Sequence, residues 1–151
     1  MTDESDALGR LAAFVGAWSV EASFPQFADS DLRGRTEFEW ILGRRFLLQR
    51  SEVPHPEAPD SFSVIAVDAE HAAYTQHYFD SRGVVRTYAM TFDGGVWTLT
   101  RETPDFTPLE FSQRFNGTFD DDGTTIRGRW EICHDGTKWE HDFDLTYSKL
   151  E

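Results

Sequence analysis

The stretch YTQHYFDSRGVVRTYAMTFDGGVWTLTRE, residues 74–102, contains two turn signals and little that favours a helix. If Gly94 and Gly95 form a two-residue turn, Phe92 lies opposite Trp97. Successive residues of a strand face opposite sides, so one face collects the bulky side chains and two arginines: Arg86, Tyr88, Met90, Phe92, Trp97, Leu99 and Arg101. The other face is thin and rich in hydroxyls: Val85, Thr87, Ala89, Thr91, Val96, Thr98 and Thr100. We predict that the bulky face lines an enclosed interior.

Length and composition favour one globular domain over residues 1–151. Of these residues 39% are hydrophobic, enough to form a core without disulfides or structural metal ions. The formal net charge of −13 argues against nucleic acid and anionic membranes as partners, because both require clustered positive charge. Cys133 is the one cysteine, which excludes an intrachain disulfide and a multi-cysteine metal site.

The N-terminal segment MTDESDALGRLAAF, residues 1–14, is acidic and lacks the pattern of a secretory signal, so we expect a cytoplasmic protein. A short helix is predicted over 6–14, with Ser5 as its N-cap. Four apolar residues fall there at helical spacing: Leu8, Leu11, Ala12 and Val15.

Beyond residue 16 the chain is typical of strands separated by turns at short, regular intervals, as in a barrel or sandwich. We predict about ten strands, near 17–24, 33–41, 46–52, 62–67, 73–79, 84–92, 96–102, 110–119, 124–133 and 138–147. Closing them into one antiparallel barrel removes exposed sheet edges. A barrel of this size has room for a ligand. The predicted fold is therefore an all-β, single antiparallel barrel with a short N-terminal helix.

The later strands alternate in the same way. Between residues 110 and 119 we predict an inner face of Phe111, Gln113, Phe115, Gly117 and Phe119. The turns at 120–123 and 134–136 would pair Phe115 with Gly128, Gln113 with Trp130, Ile132 with Trp139, and Trp130 with His141. The last strand would then send inward Trp139, His141, Phe143, Leu145 and Tyr147, and outward Lys138, Glu140, Asp142, Asp144 and Thr146.

The register of strand 73–79 has two solutions, because a slip of one residue inverts every side chain. A turn with Gly83 as a bulge places Tyr74, Gln76 and Tyr78 inside, and this is the solution we favour. A plain four-residue loop places Thr75, His77 and Phe79 inside instead. In strand 33–41 we predict Phe38 and Trp40 inside.

The segment FVGAWSVEA, residues 14–22, resembles the opening motif of the calycin superfamily, which includes lipocalins, fatty-acid-binding proteins and nitrobindin-like haem barrels. Gly16 and Trp18 match a Gly-x-Trp that follows a short helix closing one barrel end. The resemblance implies that a basic residue near the last strand, here Lys149, packs on this tryptophan. The whole chain also resembles an uncharacterised group of bacterial lipocalin-like proteins with HYFDSRG and WEHDFDLTY blocks, at 77–83 and 139–147.

The predicted function is binding of a small, largely apolar molecule, either neutral or anionic, inside the barrel. The candidate ligand-binding residues are Arg86, Tyr88, Met90, Trp97, Arg101, Gln113, Phe115, Trp130, His141 and Phe143. An inward arginine is costly unless it is paired. Its partner is either internal, such as Glu52 or Tyr88, or the anionic group of a ligand.

His141 has two further interpretations. It is either a core histidine bonded to Tyr or Gln, or, as the resemblance to nitrobindin-like barrels implies, an axial haem ligand. A third alternative is a cofactor-free isomerase, cyclase or hydratase in which His141 or Tyr88 acts as acid or base beside a bound anion. No metal site and no catalytic residue is assigned. The stretch RRFLLQ, residues 44–49, predicts apolar side chains on the outer face and with them a homodimer.

Overall fold

The computed structural model of the chain describes residues 3–23, 32–54, 59–68, 73–103, 110–134 and 136–150. Helix α1, Asp3–Arg10, leads into a 3₁₀ turn, Leu11–Phe14. The predicted helix is present, but it begins earlier than predicted and its last four residues form the 3₁₀ turn. Ser5 lies inside α1, so the N-cap prediction is wrong. No helix in the described ranges is long and apolar enough to cross a membrane.

Ten antiparallel strands close into a barrel in which sequential strands pair and β1 pairs with β10. They are β1 Gly16–Ser23, β2 Leu32–Ile41, β3 Phe46–Glu52, β4 Ser61–Asp68, β5 Ala73–Asp80, β6 Val85–Asp93, β7 Val96–Arg101, β8 Ser112–Phe119, β9 Thr125–Cys133 and β10 Glu140–Lys149. Each predicted strand is present, with bounds within two residues of the prediction. The all-β class and the closed barrel with its short N-terminal helix are confirmed.

The β6–β7 hairpin turns at Gly94 and Gly95, whose φ angles are 58° and 77°. Two consecutive positive φ values are what a type I′ turn requires. Phe92 pairs with Trp97 as predicted. The bulky face is buried as expected, with these side chains at most 9% exposed: Tyr88, Met90, Phe92, Trp97, Leu99 and Arg101.

The turn between β5 and β6 contains Gly83, whose φ angle is 85°. The amide of Gly83 donates to the carbonyl of Asp80 at 2.9 Å, and the amide of Asp80 donates to the carbonyl of Val84 at 3.1 Å. This is a tight turn followed by a glycine bulge. It sets the register we favoured, with Tyr74 and Gln76 buried and Tyr78 facing the barrel interior.

Aromatic side chains fill the barrel end that the helix covers. The Phe14 ring lies 4.8–5.2 Å, centroid to centroid, from four other rings: Phe38, Phe92, Trp97 and Phe119. The indole Nε1 of Trp18 donates to the carbonyl of Phe14 at 2.8 Å. The Nζ of Lys149 lies 5.1 Å from the Trp18 ring centroid and donates to the carbonyl of Val15 at 3.0 Å. The predicted contact between Lys149 and Trp18 is confirmed.

The pairing of β8 with β9 differs from the prediction by two residues. Phe115 pairs with Trp130 instead of Gly128, and Gln113 pairs with Ile132 instead of Trp130. The reason is a longer turn, in which the amide of Asp120 donates to the carbonyl of Thr125. A slip of two residues keeps each side chain on its face, so the predicted inner face of β8 survives.

The pairing of β9 with β10 departs from the prediction at a β-bulge between His141 and Phe143. Ile132 pairs with Glu140 instead of Trp139, and Trp130 pairs with Phe143 instead of His141. A bulge places an extra residue on one strand and changes which side chains face inward. Three sequence assignments in this part of the chain change, those of Trp139, His141 and Asp142. Asp142, predicted outward, lines the interior.

Trp139, predicted inward, packs on the outer surface. The guanidinium carbon of Arg114 lies 4.2 Å from its ring centroid, and Arg114 also pairs with Glu131, at 2.9 Å from Nε to Oε1.

Candidate functional site

The half of the barrel away from the helix contains a half-open cavity of about 880 Å³. All ten strands contribute to its wall. Its apolar part includes Val20, Trp97, Leu99, Phe115, Trp130 and Phe143. Its polar part includes Gln49, Ser63, Gln76, Tyr88, Gln113 and Tyr147. A cavity of this size with a mixed wall suits a small organic molecule.

Most of the candidate ligand-binding residues meet at this cavity. Those that line it are Arg86, Tyr88, Trp97, Gln113, Phe115, Trp130 and Phe143. Met90 is not among them, because it lies in the filled half of the barrel and is 1% exposed. Arg101 is 3% exposed, does not line the cavity and already has an interaction partner. Alternation along a strand predicts the face of a residue but not its depth along the barrel.

His141 is the clearest departure from the predicted site. Its Nε2 lies 2.9 Å from Oδ1 of Asp144, and Nε of Arg129 lies 3.6 Å from the same oxygen. The side chains of Asp144 and Arg129 are 48% and 56% exposed, so His141 belongs to a surface cluster. It does not line the cavity, and neither does any other histidine of the described ranges. The geometry thus removes the residue on which the axial haem ligand and the histidine acid or base depended.

Asp142 takes the place that sequence alternation gave to His141. It lines the cavity, and no hydrogen bond or ion pair of its carboxylate is found within the described part of the chain. Burial raises the pKa of the Asp142 carboxyl, and the neighbouring His141 offsets part of that rise. Sequence reasoning missed this residue because nothing local in WEHDFDLTY indicates a bulge. Within the described ranges, no three His, Cys, Asp or Glu side chains are grouped to hold a metal ion.

Arg86 is a cation that lines the cavity. Its Nε is buried and has no hydrogen-bond partner, and no residue of the described ranges pairs with its guanidinium. Neither internal partner considered from the sequence is used. Glu52 makes no ion pair with it, and the Tyr88 hydroxyl donates instead to Oε1 of Gln113 at 3.3 Å.

Arg82 also lines the cavity but is neutralised by Asp80, whose side chain is fully buried. Nη2 of Arg82 lies 2.6 Å from Oδ2 of Asp80, and the Tyr78 hydroxyl donates to the same oxygen at 2.7 Å. Burial by itself would raise the pKa of Asp80, but the hydrogen bonds from Arg82, Tyr78 and the Val84 amide lower it to about 2. Burial, with Asp80 nearby, raises the pKa of Tyr78.

A hydrogen-bonded belt separates the cavity from the packed half. Nε2 of Gln76 donates to Oε1 of Gln49 at 3.2 Å. Gln49 also hydrogen-bonds Tyr147, although burial outweighs this bond and raises the pKa of Tyr147 to about 12. The Trp97 indole nitrogen has no hydrogen-bond partner among the residues that the structure describes. Its ring meets those of Phe14 and Phe115 edge to face, with centroids 5.0 Å away in each case. These contacts hold the cavity floor in one arrangement.

The sequence matches no protein-family model and no curated protein. Among solved structures it is similar to Rv2717c from M. tuberculosis, with a TM-score of 0.67 and 14% identity over 96% of this chain and 98% of that one. This likeness concerns the fold, which is compatible with a calycin-like barrel. A protein of unknown function from the DUF3598 family of Nostoc punctiforme PCC 73102 aligns over 95% of this chain and 99% of that one. Its TM-score of 0.28 and 7% identity are too low to support an argument.

Proposed function

We propose that this protein binds a small amphipathic anion inside its barrel. The observation that supports this most strongly is the state of the Arg86 side chain. Its guanidinium lies on the wall of a cavity of about 880 Å³ and has no partner in the described ranges. The Gly16-x-Trp18 motif, with Lys149 against the indole, supports assignment of the barrel to the calycin type.

The energetics favour an anion at Arg86. Arg86 is half-buried, and a charge partly withdrawn from water without a partner carries a free-energy cost. A carboxylate or sulfonate offsets this cost because the planar guanidinium can donate two parallel hydrogen bonds to it. The rings of Trp97, Phe115 and Trp130 would surround the apolar body of the same molecule. The net charge of −13 opposes anions at long range, but physiological salt screens exposed charges beyond about 8 Å.

Titration with anilinonaphthalene sulfonate, a fluorescent aromatic anion, tests the proposal. We expect saturable binding to the wild type and binding about 10- to 100-fold weaker after Arg86→Gln, since a hydrogen bond to a charged group contributes about 1.5–3 kcal/mol. Arg50→Gln is the matched control. Arg50 pairs with Glu39 on the outer surface, where its side chain is 55% exposed, so its removal should leave dye affinity unchanged.

Two outcomes would contradict the proposal. One is the absence of saturable binding to the folded wild type. The other is an equal affinity of the wild type and the Arg86→Gln variant, with both proteins showing the same cooperative unfolding.

A further inference from the structure

Two groups of opposite charge line the cavity, and neither has a partner within the described ranges. Arg86 on β6 has no partner in the described ranges, and the same holds for Asp142 on β10. In many cavities such groups would neutralise each other. Here they do not form an ion pair, so each remains available to a bound molecule.

Topology keeps the two groups apart. In the closed sheet β10 is separated from β6 by β9, β8 and β7. Four strand spacings correspond to about 19 Å around the wall. The rings of Tyr88, Trp130 and Phe143 fill the wall between them, with centroids 5.6 Å apart for the first pair and 6.4 Å for the second. The two charges therefore face one space from different sides.

The inward direction of Asp142 depends on the β-bulge. Regular alternation along β10 would place it outside, beside Asp144, where water would solvate it. The bulge between His141 and Phe143 turns it into the cavity instead. Bulges commonly re-aim a side chain next to a functional site, and a carboxylate moved from water to a cavity wall is destabilised until a donor reaches it.

We propose that the ligand carries two functions at separate positions: an anionic group for Arg86 and a hydrogen-bond donor, either a hydroxyl or an ammonium, for Asp142. This inference rests on the proposed function, since it describes the molecule bound in that cavity. The ligand class is then an apolar chain or ring system with the anionic group at one end and the hydroxyl or ammonium at the other. A simple fatty acid would satisfy Arg86 and place its negative charge in the same space as Asp142.

Three probes that share one apolar chain test the inference: decanoate, ω-hydroxydecanoate and ω-aminodecanoate. Their dissociation constants would be measured by calorimetry for the wild type, Asp142→Asn and Asp144→Asn. In the wild type we expect at least one donor-bearing probe to bind about tenfold more tightly than decanoate. The hydroxyl and ammonium probes distinguish the two kinds of donor.

The Asp142→Asn variant should change the affinities of the probes in opposite directions. Decanoate should bind a few-fold more tightly, because a like charge is removed. ω-Aminodecanoate should bind about tenfold more weakly, because its ammonium loses a charged acceptor. Asp144→Asn, a neighbour on the outer side of the same strand, should change neither constant. A purely structural role of Asp142 would shift all probes the same way.

The outcomes separate this inference from the proposed function. If decanoate binds through Arg86 but the three probes have equal affinity, the anion site stands and the donor inference is overturned. If Asp142→Asn weakens every probe alike, the inference is also overturned. If no probe binds the folded wild type, the proposed function fails together with the inference.

Discussion

Replacement of Gly128 by alanine should destabilise the barrel, because the added methyl group would clash with the ring of Phe115. Gly128 lies on the inner face of β9, where a Cβ atom would stand 2.3 Å from Cζ and 2.4 Å from Cε1 of Phe115. The Phe115 ring cannot move away freely, because its centroid lies 5.0 Å from that of Trp97 and 5.2 Å from that of Trp130. Overpacking of this kind costs about 1–3 kcal/mol.

Thermal unfolding followed by circular dichroism measures the effect. For a domain of this length 1 kcal/mol corresponds to about 2–4 °C in Tm, so we expect Tm to fall by about 3–10 °C. The displaced ring lines the cavity, so dye affinity should fall as well. Gly9→Ala is the matched control: nothing lies within 4 Å of its added Cβ, and alanine in place of glycine in a helix is neutral or stabilising.

A second substitution isolates the cause. In a Phe115→Leu background the Gly128→Ala change should cost less than about 0.5 kcal/mol, because the clashing ring is gone. An unchanged Tm for Gly128→Ala alone, or the same loss in both backgrounds, would refute the packing argument.

Two other predictions concern the turn and the surface. The folded pKa of Asp80, about 2, lies below its ordinary value of 3.8, so its contribution to stability is present above about pH 4 and is lost as pH falls towards 2. Asp80→Asn should therefore lower the free energy of unfolding by about 1–3 kcal/mol near neutral pH, and urea titrations should show this gap closing in acid; a gap independent of pH would contradict the assignment. Phe62 is 47% exposed and its ring centroid lies 5.2 Å from that of Phe79 on the outer face, so we expect a homodimer to form through this face. Sedimentation velocity should show that Phe62→Glu yields monomer whereas Thr146→Glu, on β10, does not, and a monomeric wild type would remove the dimer hypothesis.

The sequence was sufficient to predict the barrel and the inner face of its middle strands. Two physical constraints made this possible. The period of two fixes which side chains share a face, and the Gly94–Gly95 turn fixes the register of β6 and β7. Even the two-residue error between β8 and β9 left the inner face of β8 intact, because it preserves parity.

The candidate site was harder to predict because it depends on a one-residue irregularity in β10 and on how far along the barrel axis each inward side chain lies. The bulge in β10 exchanges His141 for Asp142 at the cavity wall, and HDFD, residues 141–144, contains no glycine that would indicate it. Met90 shares a face with Tyr88 but lies where side chains fill the barrel. That boundary depends on long-range packing around Phe14, which local patterns do not describe.

A crystal structure of the protein in complex with decanoate tests the central claim most directly. We predict that the carboxylate lies within hydrogen-bond distance of the Arg86 guanidinium and that the chain lies among Trp97, Phe115 and Trp130. A barrel interior filled by its own side chains, or decanoate held only on the outer surface, would contradict it.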